Sequence, residues 1–226
     1  FLGFQKPAPM SFLLVAILVF ACSIPLISWL AEMNQHIHFS GAFKNLETQI
    51  RQAEIQATEL EKHVLAMKNP GELVLMVIIM GVIPGFVEEI FFRGVMQRVF
   101  IEITGRPWVG IIITAVIFSA VHGQFLGFFP RAMLGVILGA LFWFSGSIWP
   151  NILAHVIFNG VQIILVYYNP KFADGNPNFS SAVLGLSAIA VTAIFWWMVK
   201  SSQTTYEEIY DTDDDFMIGR KDQYTS

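Results

Sequence analysis

The chain alternates long apolar runs with short polar breaks. Apolar stretches over 10–30, 72–100, 108–121, 129–145, 148–168 and 182–200 predict six bilayer-crossing helices, because a helix needs about 20 apolar residues to span the hydrocarbon. The runs over 108–121 and 129–145 are short, which suits helices surrounded by protein or tilted in a thinned bilayer. Turn signals part the runs: Gly105-Arg106-Pro107, the stretch Gly123 to Gly127, Ser145-Gly146-Ser147, and the polar 169–178. Trp29, Trp108, Trp149, Trp196 and Trp197 fall near run ends, where amphipathic rings favour the membrane interface. No stretch needs a strand. The pattern predicts an all-α fold, a polytopic transmembrane helix bundle.

The first long break, 43–68, is polar but periodic. Leu46, Ile50, Ala53, Ala57, Leu60, Val64 and Met67 recur at alternating spacings of four and three, while Glu47, Arg51, Glu54, Glu59, Glu61 and Lys62 take the other faces. This predicts one amphipathic helix lying against the bundle or the lipid headgroups. The repeat is too short to favour a dimerising coiled coil.

Composition agrees with a membrane solvent. Hydrophobic residues make up 55% of the chain and charged residues 13%, against about a quarter charged in ordinary soluble domains; the mean hydropathy is +0.60. The net charge of −4 hides a split, because 201–226 hold seven acids and two bases and the remainder ten acids and eleven bases. Residues 1–200 are therefore expected to form the membrane-embedded domain, and 201–226 an acidic, solvated, disordered tail. No basic face remains for nucleic acid. Cys22, the single cysteine, excludes a disulfide within the chain.

Against this background a few ionisable and amide side chains stand out, since each costs several kcal/mol inside a membrane unless paired or hydrated. Glu88, Glu89 and Arg93 lie in the second run, within Gly85-Phe-Val-Glu-Glu-Ile-Phe-Phe-Arg-Gly94. His122 ends the third, Arg131 opens the fourth, and His155 and Asn159 lie in the fifth. Glu89 and Arg93 are four apart and face each other, which suits a structural ion pair. Glu88 is turned about 100° away and is left as a carboxylate without that partner. Pro84 removes the hydrogen bond to the Met80 carbonyl and is expected to kink the helix or admit water near Glu88. A carboxylate beside such water serves as a general base. His155 and Asn159 share one helix face, as an interhelical hydrogen-bonding pair would also do. A base, two histidines and an amide donor on three spans are nevertheless the groups needed to activate water and stabilise an oxyanion.

Glu88-Glu89-Ile-Phe-Phe-Arg93 resembles the EExxxR signature of the CPBP family of intramembrane proteases (type II CAAX prenyl proteases and bacteriocin-processing, or Abi, proteins). Phe118 with His122 resembles its FxxxH element, and His155 with Asn159 its HxxxN element. All three occur in family order within 81–159. The resemblance implies an intramembrane endopeptidase that hydrolyses peptide bonds of a lipidated or membrane-associated protein or peptide. In it Glu88 is the catalytic glutamate, Glu89 and Arg93 are the structural pair, His122 helps position the water, and His155 and Asn159 stabilise the oxyanion. Family members carry more spans than six, so further N-terminal spans are expected ahead of Phe1.

The partners implied are the bilayer and a peptide or membrane-protein substrate, and the expected location is the cell membrane, as in a bacterial inner membrane. No cofactor is expected. The sequence lacks H-E-x-x-H, and Asn159 is a poor zinc ligand; a zinc-dependent form of the same protease would use Glu88, His122 and His155. Arg131 is a candidate for steering a substrate carboxylate or headgroup, or else a snorkelling interfacial cation. A non-catalytic scaffold or self-immunity protein would keep the bundle without the chemistry. A proton-coupled transporter is the third alternative, without the paired broken helices that would support it.

Overall fold

The computed structural model describes residues 2–4, 7–174 and 178–202. Apart from Ser201 and Ser202, the acidic tail expected over 201–226 lies outside the described residues. Seven helices of more than one or two turns follow one another: α1 Met10–Gln35, α2 Lys44–Val64, α3 Pro70–Thr104, α4 Pro107–Ala120, α5 Phe128–Ser145, α6 Trp149–Tyr168 and α7 Ser181–Ser201. Among the described residues there is no strand.

Among the described residues five helices are long and apolar enough to cross a membrane, namely α1, α3, α5 with the turn before it, α6 and α7. Helix α4, expected as one of six crossings, is a shorter apolar helix and is not among these five. Its 14 residues rise about 21 Å, short of the roughly 30 Å of hydrocarbon.

Local chemistry sets the helix ends. At the start of α3, the Asn69 side chain accepts from the Glu72 backbone N–H at 3.0 Å, and the Glu72 carboxylate reaches back to the Lys68 N–H at 2.6 Å. This arrangement resembles a capping box shifted by one residue, since Glu72 meets the N–H before the N-cap, and Pro70 stands at the first helical position, where a missing N–H costs nothing. Gly105, at φ 65°, closes α3 in the left-handed region that other residues avoid. Pro107 then opens α4.

Helix α3 does not simply kink at Pro84. Val77–Val82 and Ile90–Gln97 wind as π-helix, with Ile83–Glu89 as α-helix between them. A proline that removes one backbone donor is accommodated by a widened turn before it, a known response to a disrupted ladder. Hydrophobic periodicity does not distinguish such a turn from ordinary α-helix.

The core forms around α5. Its Leu138, Leu141 and Phe144 pack with Phe12, Ala16 and Val19 of α1, and Ala154 of α6 and Met198 of α7 close the cluster. On its other side α5 meets α4 closely: a Cβ placed on Gly135 would lie 2.8 Å from that of Ala115. Gly135 and Gly139 are four apart, the small-residue spacing that lets membrane helices approach. Helix α6 runs beside the first half of α3, and α7 packs on the outer side of α1.

Helix α2 forms within the expected 43–68 but turns an unexpected edge inward. Glu47, Arg51 and Glu54 are partly covered together with Ile50, Ala57 and Met67 of the apolar stripe, whereas Leu46, Leu60 and Val64 of that stripe remain exposed. The polar edge is drawn in because α1 ends with backbone groups that need partners. Arg51 donates to the carbonyls of Gln35 at 3.2 Å and Ile37 at 2.9 Å. Glu47 accepts from Arg51 Nε, the Phe39 N–H and His38 Nδ1, each at 2.8 Å.

These donors, Arg51 first and then the Phe39 N–H, lower the Glu47 carboxyl from 4.5 to about 2. Because the folded value lies below the unfolded one, the unfolded chain takes up this proton first as pH falls. The stabilisation is therefore complete above about pH 4.5 and is lost as pH falls toward about 2. The difference in melting temperature between the protein and Glu47→Gln in detergent should be constant above that window and shrink across it. A difference that does not change with pH would show that Glu47 titrates alike in the folded and unfolded chain, so that its charge does not stabilise the joint.

Candidate active site

Two polar stripes meet where α3 crosses α6. On α3 the stripe is Glu89, Arg93 and Gln97, all fully buried. On α6 it is Asn151, His155 and Asn159, of which the first two are buried. In each stripe the members are four residues apart, so the stripe runs along one helix face.

The α3 stripe is tied to α5 as well. Arg93 Nη1 donates to Glu89 Oε1 at 3.0 Å, and Arg93 Nη2 donates to the Gly135 carbonyl at 3.2 Å. One turn on, Gln97 Nε2 donates to the Gly139 carbonyl at 3.0 Å. The two glycines that let α5 pack closely thus also expose their carbonyls to α3. The Arg93 guanidinium lies 4.8 Å over the Phe118 ring, a favourable position for a desolvated cation.

Glu89 is the hub. Besides Arg93, its Oε1 accepts from His155 Nδ1 at 2.7 Å and its Oε2 from Asn151 Nδ2 at 3.2 Å. Asn151 Nδ2 also reaches the Leu138 carbonyl at 2.6 Å. Sequence spacing expected Glu89 to turn away to Arg93. It does pair with Arg93, but it also holds His155.

Glu88 lies on the other side of that imidazole. Its side chain is 28% exposed, against 0% for Glu89, and its Oε2 is 3.8 Å from His155 Nε2. That distance is too long for a direct hydrogen bond. A water about 2.8 Å from each atom would fit off the line between them. Because Nδ1–H is donated to Glu89, the neutral imidazole keeps Nε2 as an acceptor facing Glu88.

The other expected residues fall as follows. His122, exposed at the end of α4, donates Nδ1–H to the Phe118 carbonyl at 2.8 Å and so keeps Nε2 as its acceptor. Its ring and that of His155 both flank Phe118, with centroids 5.1 and 6.2 Å away. Asn159 Nδ2 donates to the Met80 carbonyl at 3.4 Å, the carbonyl that Pro84 cannot serve; its second N–H is not used in that bond. Arg131 points at its own loop, where Nη1 donates to the Gln124 carbonyl at 3.1 Å and Nη2 to the Gln124 side-chain oxygen.

Among the described residues no group of three or more His, Cys, Asp or Glu is placed to hold a metal ion; His155 gives Nδ1 to Glu89 and keeps Nε2 toward Glu88.

Residues 70–161, from the start of α3 to the middle of α6, match the family model described as Type II CAAX prenyl endopeptidase Rce1-like. Over this segment the chain is similar to that family. All the motif residues, Glu88 to Asn159, lie inside it, while α1, α2 and α7 lie outside. No curated protein and no solved structure matches the chain. With five long apolar helices, the match supports a multi-pass membrane protein of the CAAX-type protease class.

Sequence reading missed Asn151 and Gln97. Both carried a signal, since Asn151 precedes His155 by four residues and Gln97 follows Arg93 by four. Each prolongs a stripe already in view.

Removing one partner of a buried ion pair leaves the other charge uncompensated, at a cost of about 3–5 kcal/mol. Glu89→Gln should therefore lower the melting temperature and the yield of folded protein. Glu88→Gln, at a partly exposed carboxylate without a direct hydrogen bond, should leave both nearly unchanged. Equal melting temperatures for the two variants would remove Glu89 from its place as hub.

Proposed function

We propose that the protein is an intramembrane endopeptidase of the cell membrane in which Glu88 activates a water molecule. The observation that carries this reading is the order Glu89–His155–Glu88, in which a buried carboxylate orients an imidazole toward a second, solvent-reaching carboxylate. A water held by Glu88 Oε2 and His155 Nε2 directs its two hydrogens at these acceptors and its lone pairs outward. Glu88 takes one proton as the oxygen attacks the scissile carbonyl carbon, and the C=O electrons move onto the carbonyl oxygen. The second N–H of Asn159, one turn along α6 from His155, is the donor we assign to that oxyanion, and one such donor lowers a barrier by about 3–4 kcal/mol. When the intermediate collapses the C–N bond breaks, and Glu88 returns its proton to the leaving amine. His122, across Phe118 from His155, supplies a further acceptor for the water or the substrate amide.

This reading gives His155 a different task from the oxyanion role implied by the family resemblance. With Nδ1–H committed to Glu89, the neutral ring orients water; only a protonated ring would donate from Nε2. The substrate class taken from the family is a prenylated protein or peptide ending in a CAAX sequence, or another lipidated or membrane-associated peptide.

The test uses purified full-length protein in detergent with two probes, a farnesylated peptide ending in a CAAX sequence and a transmembrane peptide. Glu88→Gln keeps the size of the side chain but not the base, so cleavage should fall by several orders of magnitude with the melting temperature retained. Activity retained by Glu88→Gln would overturn its role as base. No cleavage of either probe by the unaltered protein would favour the scaffold.

Cleavage should also survive a strong chelator such as 1,10-phenanthroline, with less than one equivalent of metal in the purified protein. Activity lost on chelation and restored by zinc would replace this mechanism with a metal-assisted one.

A further inference from the structure

The loop that leads from His122 into α5 is fastened from outside the family segment. Asn34, fully buried at the end of α1, uses both ends of its amide on this loop. Its Nδ2 donates to the Phe125 carbonyl at 2.8 Å, and its Oδ1 accepts from the Phe129 N–H at 3.0 Å. Between these two bonds, Glu54 of α2 accepts from the Leu126 N–H at 2.8 Å. The Phe39 ring, between α1 and α2, meets Phe125 edge-on at 5.5 Å. Inside the segment, Ser119 donates to the Phe128 carbonyl at 2.6 Å, and Arg131 holds Gln124.

The loop has little else to hold it. Ahead of the first residues of α5 its helical part is the single turn Phe125–Gly127. It begins at Gly123, whose φ of 68° turns the chain sharply just after His122. A short connection of this kind drifts unless its backbone groups are bonded. Three of the bonds that hold it come from Asn34 and Glu54, which are 68 and more residues before His122.

We infer that Asn34 and Glu54 are positioning residues for the candidate active site: they clamp the 123–129 loop and through it set where His122 stands. The inference rests on the protease reading for its consequence in catalysis, but the clamp itself is a matter of geometry. It makes α2 part of the working site: its polar edge buttresses the loop, which explains why that edge is covered along with Ile50 and Ala57 of the apolar stripe.

Three variants test it in the full chain. Glu54→Ala removes the acceptor for Leu126, Glu54→Gln keeps an oxygen there, and Asn34→Asp keeps the acceptor for Phe129 but removes the donor to Phe125. Hydrogen exchange over 123–129 should accelerate in Glu54→Ala and Asn34→Asp. Labelling by diethyl pyrocarbonate, read by mass spectrometry, should change at His122 and not at the exposed His36, His38 and His63. On the farnesylated CAAX peptide, kcat should fall on the order of tenfold to a hundredfold with KM little changed, and Glu54→Gln should recover most of it.

Unchanged exchange and unchanged His122 labelling in both variants would overturn the clamp. Labelling that rises at every histidine would overturn it too, by showing general loosening. A loosened loop with full kcat would overturn its role in catalysis. If the unaltered protein cleaves nothing, the protease reading fails, while exchange and labelling still decide whether Asn34 and Glu54 place His122.

Discussion

The organisation of this bundle depends on one buried carboxylate. A charged Glu89 in a low-dielectric interior is tolerable only if its lone pairs are met by donors from several directions. Arg93 provides one from its own helix, and His155 and Asn151 provide two from α6. Arg93 and Asn151 are in turn bonded to carbonyls of α5. Three helices that could otherwise slide along apolar surfaces are held in one register. Membrane helices gain little from hydrophobic attraction to each other, since lipid is equally apolar, so such polar ties fix position.

The same requirement separates two chemically identical neighbours. A helix turns successive side chains about 100° apart, so the residue before Glu89 is directed away from the donors that satisfy it. Glu88 has the imidazole edge and an opening to solvent instead. Full satisfaction of one carboxylate thus leaves its neighbour available. Phe118 adds to this order, because its ring is flanked by Arg93, His122 and His155, so the cation and both imidazoles are spaced by one rigid plate.

Much of this was legible in the sequence. Apolar run lengths gave the helices closely, and spacing of four gave the Glu89–Arg93 pair. Spacing did not reveal that His155 would join that pair, because i, i+4 rules describe one helix and the contact crosses two. It placed Glu88 and Glu89 on different faces without showing that a single imidazole would stand between them. The role of α2 was half legible: its apolar stripe was plain, but which edge would face the protein depended on unpaired backbone groups at the end of α1 and in the 123–129 loop. The shortness of α4 was a matter of counting residues against thickness. The π turns of α3 left no trace in the pattern, since apolar residues lie on both sides of them.

Those π turns have a consequence for how this helix tolerates change in length. In ordinary α-helix, losing one residue rotates everything beyond it by about 100° and would carry Glu88 to another face. A π stretch already holds surplus chain for each turn. Deleting one residue within Val77–Val82 would let that stretch relax toward α-helical winding, and the azimuth of the residues beyond could be kept. The stretch ahead of Pro84 thus acts as slack in the helix. Of the two π stretches in α3 it is the one that precedes the glutamates, so a length change taken up there leaves their direction as it is.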